Sequence, residues 1–391
     1  MSADRKVILF TALEPSGDAH AAPVIARLRA EYPDIEPVAW GGPKMEAAGA
    51  TMLGRTADDG VMGIKGVSRA LEVRALHNTI VEWASKNPVA VHMPVDSPSA
   101  NYPLCARLKP MGVKIVNLVA PQLWAWAPWR IKKVRRLSDV LLCLLPFEEQ
   151  WFRVRGVTAK FVGHPLLSKS LEESGFVPNT DAFPAGAPHI LLLAGSRSSE
   201  VRANARLLLE AFLLVRSRMP GAVAVVLASN EANAGHFRKA IGGEPPAGVH
   251  IAVSDIESAV YWSDLALAVS GTVSLDCARQ AKPMIGVYRL SRLEVWGAKL
   301  LVRAPHLLLP NILAGRRIVP EFVPYAGGPE LIAASALELL QNGVRMQRTR
   351  EDLRQVAASF RGFDPARICA EVAARVARGQ PMTNEILDGI S

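Results

Sequence analysis

Cysteine is scarce in this sequence, and long hydrophobic runs are absent from it. The four cysteines form no CxxC pair and have no histidine at metal-ligand spacing; they are Cys105, Cys143, Cys277 and Cys369. We therefore expect small buried residues, with no disulfide and no metal site. No run reaches the roughly 18 apolar residues of a membrane-spanning helix, and the N-terminal apolar run is too short for a secretory signal. We expect a protein that is soluble or held at a membrane by its surface.

Acidic residues are the minority charge. The 391 residues include 36 Asp and Glu against 45 Lys and Arg, which gives a formal net charge of +9. A basic balance suits phosphate-bearing partners such as nucleic acid, nucleotide sugars or an anionic membrane. Nothing besides the net charge favours nucleic acid, so we do not expect it as a partner.

Short apolar runs alternate with amphipathic stretches along the whole chain. Continuous apolarity is typical of strands that are buried on both faces of a parallel sheet. The runs that we interpret as strands are KVILFTAL, PVAWGG, VAVHMPVD, KIVNLVAP, DVLLCLLP and AKFVG in the first half, then HILLLAG, AVAVVLAS, HIAVSD, LALAVS and PMIGVYR. Amphipathic patterns predict helices between them, for example over Asp18 to Glu31 and Ile64 to Lys86. The sequence thus predicts an α/β protein with two doubly wound, Rossmann-like domains.

A stretch rich in Pro, Gly, Ser and Asn interrupts this alternation. We place the N-terminal domain at 1–171, the linker at 172–188 and the second domain at 189–345. Residues 346–391 are predicted to be helices that pack back on the N-terminal domain. Ligands of doubly wound sheets bind at the carboxyl ends of the strands, so we expect the chemistry in the cleft between the two domains.

Two loops of the second half have the composition of phosphate sites. Gly195-Ser196-Arg197 and Ser270-Gly271-Thr272 each follow a predicted strand and open a predicted helix, and Asp276 lies one turn inside the second helix. A helix N-terminus offers free N–H groups to a phosphate, and Arg197 adds a cation. Ordinary turns and N-caps are the alternative interpretation. A third segment holds Asn311, with Glu321 ten residues later, and is weak on its own.

In the first half, two loops could contribute to the same chemistry. Glu14, Ser16, Gly17 and Asp18 follow the first strand without the GxGxxG pattern of dinucleotide folds, so we expect no NAD, FAD or other cofactor. Asp96 ends a buried strand, where a carboxylate could act as a general base. A helix cap is the alternative role for Asp96.

An aromatic and cationic segment follows. Trp124, Trp126 and Trp129 precede a basic run that includes Arg130, Lys132 and Lys133. Interfacial aromatics beside cations suit an anionic membrane surface. A nucleic-acid patch and a solvated helix face with half-buried tryptophans are the alternatives.

Taken in order, several segments resemble the lipid-A-disaccharide synthase family of GT-B glycosyltransferases. The resemblance runs from Lys6 to about Arg375. The segments that carry it are Glu14-Pro15-Ser16-Gly17-Asp18, Gly42-Pro43-Lys44-Met45, Val61-Met62-Gly63, Asp96-Ser97-Pro98, Trp124-Ala125-Trp126, Leu145-Pro146-Phe147-Glu148, Phe161-Val162-Gly163-His164-Pro165, Gly195-Ser196-Arg197, Ser270-Gly271-Thr272 and Leu309-Pro310-Asn311-Ile312-Leu313-Ala314-Gly315-Arg316. Each triplet is common, but the ordered set is specific.

The resemblance implies a GT-B fold, whose two Rossmann-like domains face each other across a cleft, and a direct, metal-free transfer. UDP-2,3-diacylglucosamine would give its sugar to 2,3-diacylglucosamine-1-phosphate, with a β-1,6 linkage and UDP as products. Asp96 would be the base, Arg197 would stabilise the leaving UDP, and Asn311, Glu321 and Asp276 would surround the nucleotide. Met62, Ile64 and Val67 would join the tryptophan segment in acyl or membrane contacts.

The implied partners are a UDP-sugar donor, a lipid acceptor and the inner face of the inner membrane, and a homodimer is left open. Departures from the family pattern concentrate in the first half: the family's second acid after the base and the following aromatic are Ser99 and Ala100 here. The rival hypotheses are a GT-B transferase with another lipid or sugar acceptor, a UDP-sugar 2-epimerase and a non-catalytic nucleotide binder.

Overall fold

A computed structural model describes residues 5–57, 67–291, 294–295 and 304–390. The chain divides into two compact units, one formed by Met1–Ser168 with Gly362–Ser391 and the other by Lys169–Arg361. Within the described ranges, no helix is both long and apolar enough to cross a membrane.

Unit 1, formed by Met1–Ser168 with Gly362–Ser391, is built on a parallel sheet. Its strands are β1 (Lys6–Ala12), β2 (Ile35–Gly41), β3 (Thr51–Arg55), β4 (Val89–Val95), β5 (Lys114–Leu118), β6 (Val140–Cys143) and β7 (Ala159–Phe161), in the order β3-β2-β1-β4-β5-β6-β7. Its helices are α1 (Pro15–Glu31), α2 (Pro43–Ala47), α3 (Val67–Lys86), α4 (Pro98–Leu108), α5 (Leu123–Trp126), α6 (Ile131–Leu137) and α7 (Pro146–Arg153).

Unit 2, formed by Lys169–Arg361, repeats the plan. Its strands are β8 (His189–Leu193), β9 (Val223–Leu227), β10 (Val249–Ala252), β11 (Leu265–Val269), β12 (Met284–Arg289) and β13 (Glu321–Tyr325), in the order β10-β9-β8-β11-β12-β13 and all parallel. Its described helices are α8 (Ser198–Arg218), α9 (Glu231–Ile241), α10 (Ile256–Trp262), α11 (Val273–Arg279), α12 (Leu309–Ala314), α13 (Glu330–Gln341) and α14 (Gly343–Ala358). The predicted α/β class with two doubly wound sheets is confirmed.

The eleven runs interpreted as strands all contain a strand, but two further strands escaped prediction. These are β3 and β13, each at an edge of its sheet. Their residues are half-buried or exposed, because an edge strand has a neighbour on one side only. They therefore lack the continuous apolarity that identifies a central strand.

Helix α1 begins three residues before the predicted start at Asp18. Pro15 occupies its first turn, where a missing N–H costs nothing because no intrahelical partner exists for it. Helix α3 starts at Val67, and the part of its prediction before that residue lies outside the described ranges.

The segment 172–188 contains no helix or strand and lies in unit 2. The last two helices, α15 (Pro365–Ala377) and α16 (Asn384–Asp388), belong to unit 1. Helix α15 packs with α1 on one face of the first sheet, and its Ile368 and Val372 are fully buried there. Helix α14 lies instead against unit 2, where Leu353 is fully buried beside α11.

We expect Ile368→Ala to lower the free energy of unfolding of unit 1 by about 2–5 kcal/mol, because it leaves a cavity under α15. Urea unfolding followed by tryptophan fluorescence measures this, since six of the eight tryptophans lie in unit 1. Leu71→Ala removes the same number of carbons from a side chain that is 62% exposed, and we expect it to change stability by less than about 0.5 kcal/mol. Equal midpoints for the two variants would contradict the packing of α15.

Candidate active site

The first sheet reverses its strand order between β1 and β4, which pair in parallel. Ligands of doubly wound sheets bind at such a switch point, outside the carboxyl ends of the strands. The loop that starts at Leu13 leaves β1 there, and Asp96 leaves β4 beside it. The structure therefore brings together the two first-half loops that the sequence singled out.

The start of α1 lies close to the end of β4. A Cβ atom placed on Gly17 would be 3.1 Å from the carbonyl oxygen of Val95 and 3.1 Å from the Cβ of Ala12, which is tighter than most Cβ contacts in proteins. The buried Asp18 carboxylate accepts hydrogen bonds from the backbone N–H groups of Gly42, Lys44 and Met45 at 2.9–3.0 Å. Asp18 thus fixes the start of α2, and Gly17 permits the close approach of α1.

Asp96 is half-buried at the switch point. Its backbone has a left-handed conformation, with φ of +54°, and so does that of Ser97, with φ of +44°. The Ser16 hydroxyl, in the first turn of α1, donates to Asp96 Oδ2 at 3.4 Å. A carboxylate on a rigid turn, beside a helix N-terminus and partly open to solvent, can accept a proton from a hydroxyl group.

Two imidazoles that the sequence did not single out as site residues lie in contact, and one of them, His20, lies near Asp96. The rings of His20 and His164 meet edge to face, with centroids 6.0 Å apart. Burial lowers the pKa of both, that of His164 to about 3, while the nearby Asp96 carboxylate acts on His20 in the opposite direction. Both rings are therefore neutral near pH 7. His20 follows Ser16 by four residues and therefore lies on the same face of α1. This spacing could have identified His20 from the sequence.

The tryptophan segment divides into an anchored part and an exposed part. The Trp124 indole N–H donates to the buried Glu148 carboxylate at 3.0 Å, and its ring meets Phe147 edge to face at 4.9 Å. Burial raises the pKa of Glu148 to about 7. These contacts join the two family segments that contain Trp124 and Glu148.

The other two tryptophans face solvent. Trp126 is 42% exposed and Trp129 is 57% exposed, and the Arg130 guanidinium lies 4.8 Å from the ring centre of Trp126. Lys132 and Lys133 are also exposed. Three other residues were predicted to contact acyl chains or the membrane. Met62 and Ile64 lie outside the described residues, and Val67 is described only as the first residue of α3.

In unit 2 the strand order reverses between β8 and β11. The loop after β8 contains Gly195, whose φ is +111° and where an added Cβ would collide with Glu200. Arg197 extends into solvent with 68% exposure, and its guanidinium lies 3.2 Å from the Glu200 carboxylate. The Ser196 carbonyl accepts a hydrogen bond from Asn233 Nδ2 at 2.7 Å. The hydrogen bond from Asn233 thus fixes the backbone of the loop, while the Arg197 side chain points into solvent.

The loop after β11 lies at the same switch point. The Ser270 N–H donates to the Val287 carbonyl at 2.9 Å, and its hydroxyl donates to the Leu307 carbonyl at 3.3 Å. Gly271 and Thr272 are exposed. A Cβ on Gly271 would meet no atom within 4 Å, so there is space for a ligand directly above this loop.

Asp276, one turn into α11, lies in a cluster of charges. Burial, and then the Glu257 carboxylate, raise the pKa of Asp276 to about 7. The Arg279 guanidinium forms an ion pair with Glu257 and donates to the Ser170 carbonyl at 3.2 Å. Near neutral pH the Asp276 carboxyl can therefore both donate and accept hydrogen bonds.

Asn311 and Glu321 form one hydrogen-bonded unit. Asn311 is fully buried; its Nδ2 donates to Glu321 Oε2 at 2.9 Å, and its Oδ1 accepts from the N–H groups of Ile318 and Val319. The Glu321 carboxylate also accepts from the N–H groups of Leu307 and Leu308, both at 3.0 Å. Together they fix the segment that receives the Ser270 hydroxyl.

No three His, Cys, Asp or Glu side chains come together as a metal site among the residues that the structure describes. The four cysteines are buried and form no disulfide. The groups that the described loops bring to the two switch points are carboxylates, hydroxyls, backbone N–H groups and the exposed Arg197.

Comparison with known proteins identifies the family. The family model described as lipid-A-disaccharide synthetase matches residues 8–369. The lipid-A-disaccharide synthase of Anaeromyxobacter sp. (strain K) is 34% identical over 368 residues, which cover 93% of this chain and 96% of that protein. That of Granulibacter bethesdensis is 35% identical over 348 residues, with 86% of each chain covered.

Solved structures agree on the fold. A UDP-N-acetylglucosamine 2-epimerase structure from Listeria monocytogenes, described as putative, has a TM-score of 0.61 at 13% identity and covers 97% of this chain and 99% of its own. A spinosyn rhamnosyltransferase complexed with thymidine diphosphate has a TM-score of 0.60 at 14% identity, with 94% and 99% covered. These likenesses show the GT-B fold alone. The family model and the relatives go further: this chain belongs to the lipid-A-disaccharide synthase family of glycosyltransferases.

Proposed function

We propose that this protein transfers 2,3-diacylglucosamine from its UDP donor to 2,3-diacylglucosamine-1-phosphate, forming the β-1,6 disaccharide and UDP. Family membership over residues 8–369 supports the reaction. The observation that carries the mechanism is the Asp96 carboxylate at the switch point of unit 1, held on a fixed turn and reached by Ser16.

Asp96 acts as the general base. Its carboxylate takes the proton of the acceptor hydroxyl while that oxygen forms a bond to the anomeric carbon of the donor sugar. The bond from that carbon to the UDP oxygen breaks on the opposite face, so the configuration inverts and UDP leaves with the electron pair. A base matched to this step contributes about 10²–10⁴-fold to the rate.

UDP binds at the switch point of unit 2. The N-terminus of α8 and the exposed Arg197 stabilise the negative charge that the leaving diphosphate gains. The second loop around the UDP consists of Ser270, Gly271 and Thr272, and the space above Gly271 is open. Asp276 hydrogen bonds to the ribose hydroxyls, and a carboxyl whose pKa is about 7 can serve as donor or acceptor for them.

Asn311 and Glu321 act on the nucleotide by shaping its pocket. Their polar atoms are engaged with backbone groups of residues 307–308 and 318–319. Losing either side chain would leave backbone N–H groups without acceptors, which costs about 1–3 kcal/mol for each buried group. In the first unit, Glu14 and Ser16 line the acceptor side, while Gly17 and Asp18 fix the helix starts around it.

The lipid acceptor reaches the protein from an anionic membrane surface, on the inner face of the inner membrane. Trp126 and Trp129 are exposed beside Arg130, Lys132 and Lys133. Aromatic rings favour the headgroup level of a bilayer, and the cations meet lipid phosphates. Association of this kind is peripheral.

The first test is to incubate the protein with both lipid substrates in detergent micelles, following UDP release and the mass of the lipid product. Asp96→Asn should lower kcat by about 10²–10⁴-fold, because asparagine accepts the same left-handed backbone but takes up no proton. Asp181→Asn, at an exposed position, should leave kcat unchanged.

A wild-type protein that binds UDP but makes no disaccharide would refute this acceptor. In that case, transfer to another lipid or sugar acceptor identifies a different GT-B transferase, and epimerisation of UDP-N-acetylglucosamine alone identifies a 2-epimerase.

Gly271→Ala tests the nucleotide loop. The new methyl group meets no protein atom within 4 Å, so thermal stability should be retained while the Kd for UDP rises at least about tenfold, equivalent to about 1.4 kcal/mol. Isothermal titration calorimetry measures the affinity. Gly235→Ala, equally free of clashes and located in α9, should leave the Kd unchanged; an equal Kd for both variants would place UDP elsewhere.

Membrane binding is tested with vesicles. Lys132→Gln with Lys133→Gln should weaken binding to phosphatidylglycerol vesicles by about 2 kcal/mol, at about 1 kcal/mol for each cation, with little effect on phosphatidylcholine vesicles. Trp126→Ala should weaken binding to both. Tyr261→Ala, with 54% exposure in unit 2, is the matched control, and equal losses for it would contradict the assigned surface.

A further inference from the structure

The turn that carries Asp96 is strained. Asp96 and Ser97 are consecutive residues with positive φ, and neither is glycine. Left-handed backbone is sterically unfavourable for an L-residue, and such strain persists where the surroundings hold the backbone in place. The Ser97 side chain forms no cap to α4, so the restraint comes from elsewhere.

Asn101 supplies that restraint from inside the unit. Its side chain is buried in the first turn of α4, where Nδ2 donates to the Asp96 carbonyl at 2.8 Å and to the Val95 carbonyl at 3.3 Å. Its backbone N–H donates to the Ser97 carbonyl at 3.0 Å. A single residue therefore binds three consecutive carbonyl groups, those of residues 95, 96 and 97.

A buried polar chain fixes the orientation of the Asn101 amide. Because both Nδ2 protons face carbonyl oxygens, Oδ1 must be the acceptor, and it accepts from the Thr11 hydroxyl at 2.9 Å. Thr11 has then used its only proton. It must accept from His92 Nε2, which lies 2.9 Å away.

The chain ends at Cys105. With the His92 proton on Nε2, its Nδ1 is an acceptor and lies 3.7 Å from Cys105 Sγ. Thr11, His92, Asn101 and Cys105 are all buried. Every hydrogen bond in the chain consequently points one way, from Cys105 through His92 and Thr11 to Asn101 and the main chain at Asp96.

We propose that Asn101 is a positioning residue for the transfer: it holds the Asp96–Ser97 backbone in its left-handed conformation, so that the Asp96 carboxylate faces the acceptor hydroxyl, and Thr11 and His92 lock its amide in the orientation that does so. This inference rests on the proposed role of Asp96. It gives a function to three buried residues that touch no substrate.

Substitutions at two positions separate positioning from folding. Asn101→Ala should lower kcat by about 100-fold, the effect of misplacing a catalytic group by about 1 Å. Thr11→Val keeps the shape and removes the hydroxyl, and should lower kcat by about tenfold. Thr11→Ser keeps the hydroxyl and should stay within about twofold of the wild type. For all three variants, the KM of the UDP donor and the Kd of UDP should change by less than about twofold, because UDP binds in unit 2.

Relief of the strain provides a rescue. Glycine adopts the left-handed conformation without steric cost, so Ser97→Gly added to Asn101→Ala should recover part of the lost kcat. A kcat equal to that of the wild type in Asn101→Ala, or UDP affinity lost together with kcat in every variant, would overturn the proposal. The first result shows that Asn101 is not needed, and the second shows a general loss of folding.

A crystal structure of Asn101→Ala tests the same point without an assay. We expect φ of Asp96 or Ser97 to become negative, and an unchanged left-handed turn would overturn the proposal. The two hypotheses fail differently: a wild-type protein without transferase activity refutes the proposed function, whereas an active wild type with an equally active Asn101→Ala refutes the positioning role alone.

Discussion

Each parallel sheet must be covered on both faces, and this requirement opens the two candidate sites. Helix α1 follows β1 onto the face that α15 also covers, whereas α4 follows β4 onto the opposite face with α3 and α6. In unit 2, α8 and α11 separate in the same way. The helices diverge to opposite faces of the sheet. The loops that precede them therefore leave exposed polar groups at the carboxyl ends of the strands, between β1 and β4 and between β8 and β11. The proposed transfer uses those groups.

The central strands were predictable because burial on both faces is recorded in the sequence as continuous apolarity. The edge strands β3 and β13 were not, since a half-exposed strand carries mixed residues such as Thr51 and Glu321. The same physics accounts for the loops. A strand end followed by small or acidic residues is a local pattern. Asp96, Gly195 and Ser270 could therefore be placed at the carboxyl ends of central strands from the sequence.

Contacts between distant residues could not be predicted. Thr11 and Asn101 are 90 positions apart, and Thr11 and His92 are 81 apart, so no spacing rule joins them. Asn311 and Glu321 were named from the sequence as residues around the nucleotide, but the direction of their side chains depends on the fold. The structure turns Asn311 inward to Ile318 and Val319. Polar residues in a loop thus indicate a site, while only the packing shows whether they contact a ligand or hold the loop.

Two departures from the family pattern, Ser99 and Ala100, lie next to the Asp96–Ser97 turn without disturbing the side chains that hold it. Ser99 is exposed and Ala100 is half-buried, whereas Asn101 beside them is buried. The side-chain hydrogen bonds that restrain the turn come from Asn101 and pass inward to Thr11. Of the two altered positions, Ala100 contributes only its backbone N–H, which donates to the Ser97 carbonyl, so no side chain at either position takes part. A carboxylate positioned from the interior keeps its geometry when the solvent side of the same helical turn changes. Under the proposed function, acceptor contacts can therefore vary at Ser99 and Ala100 while the Asp96 carboxylate stays in place, so that one turn combines a fixed carboxylate with a variable surface.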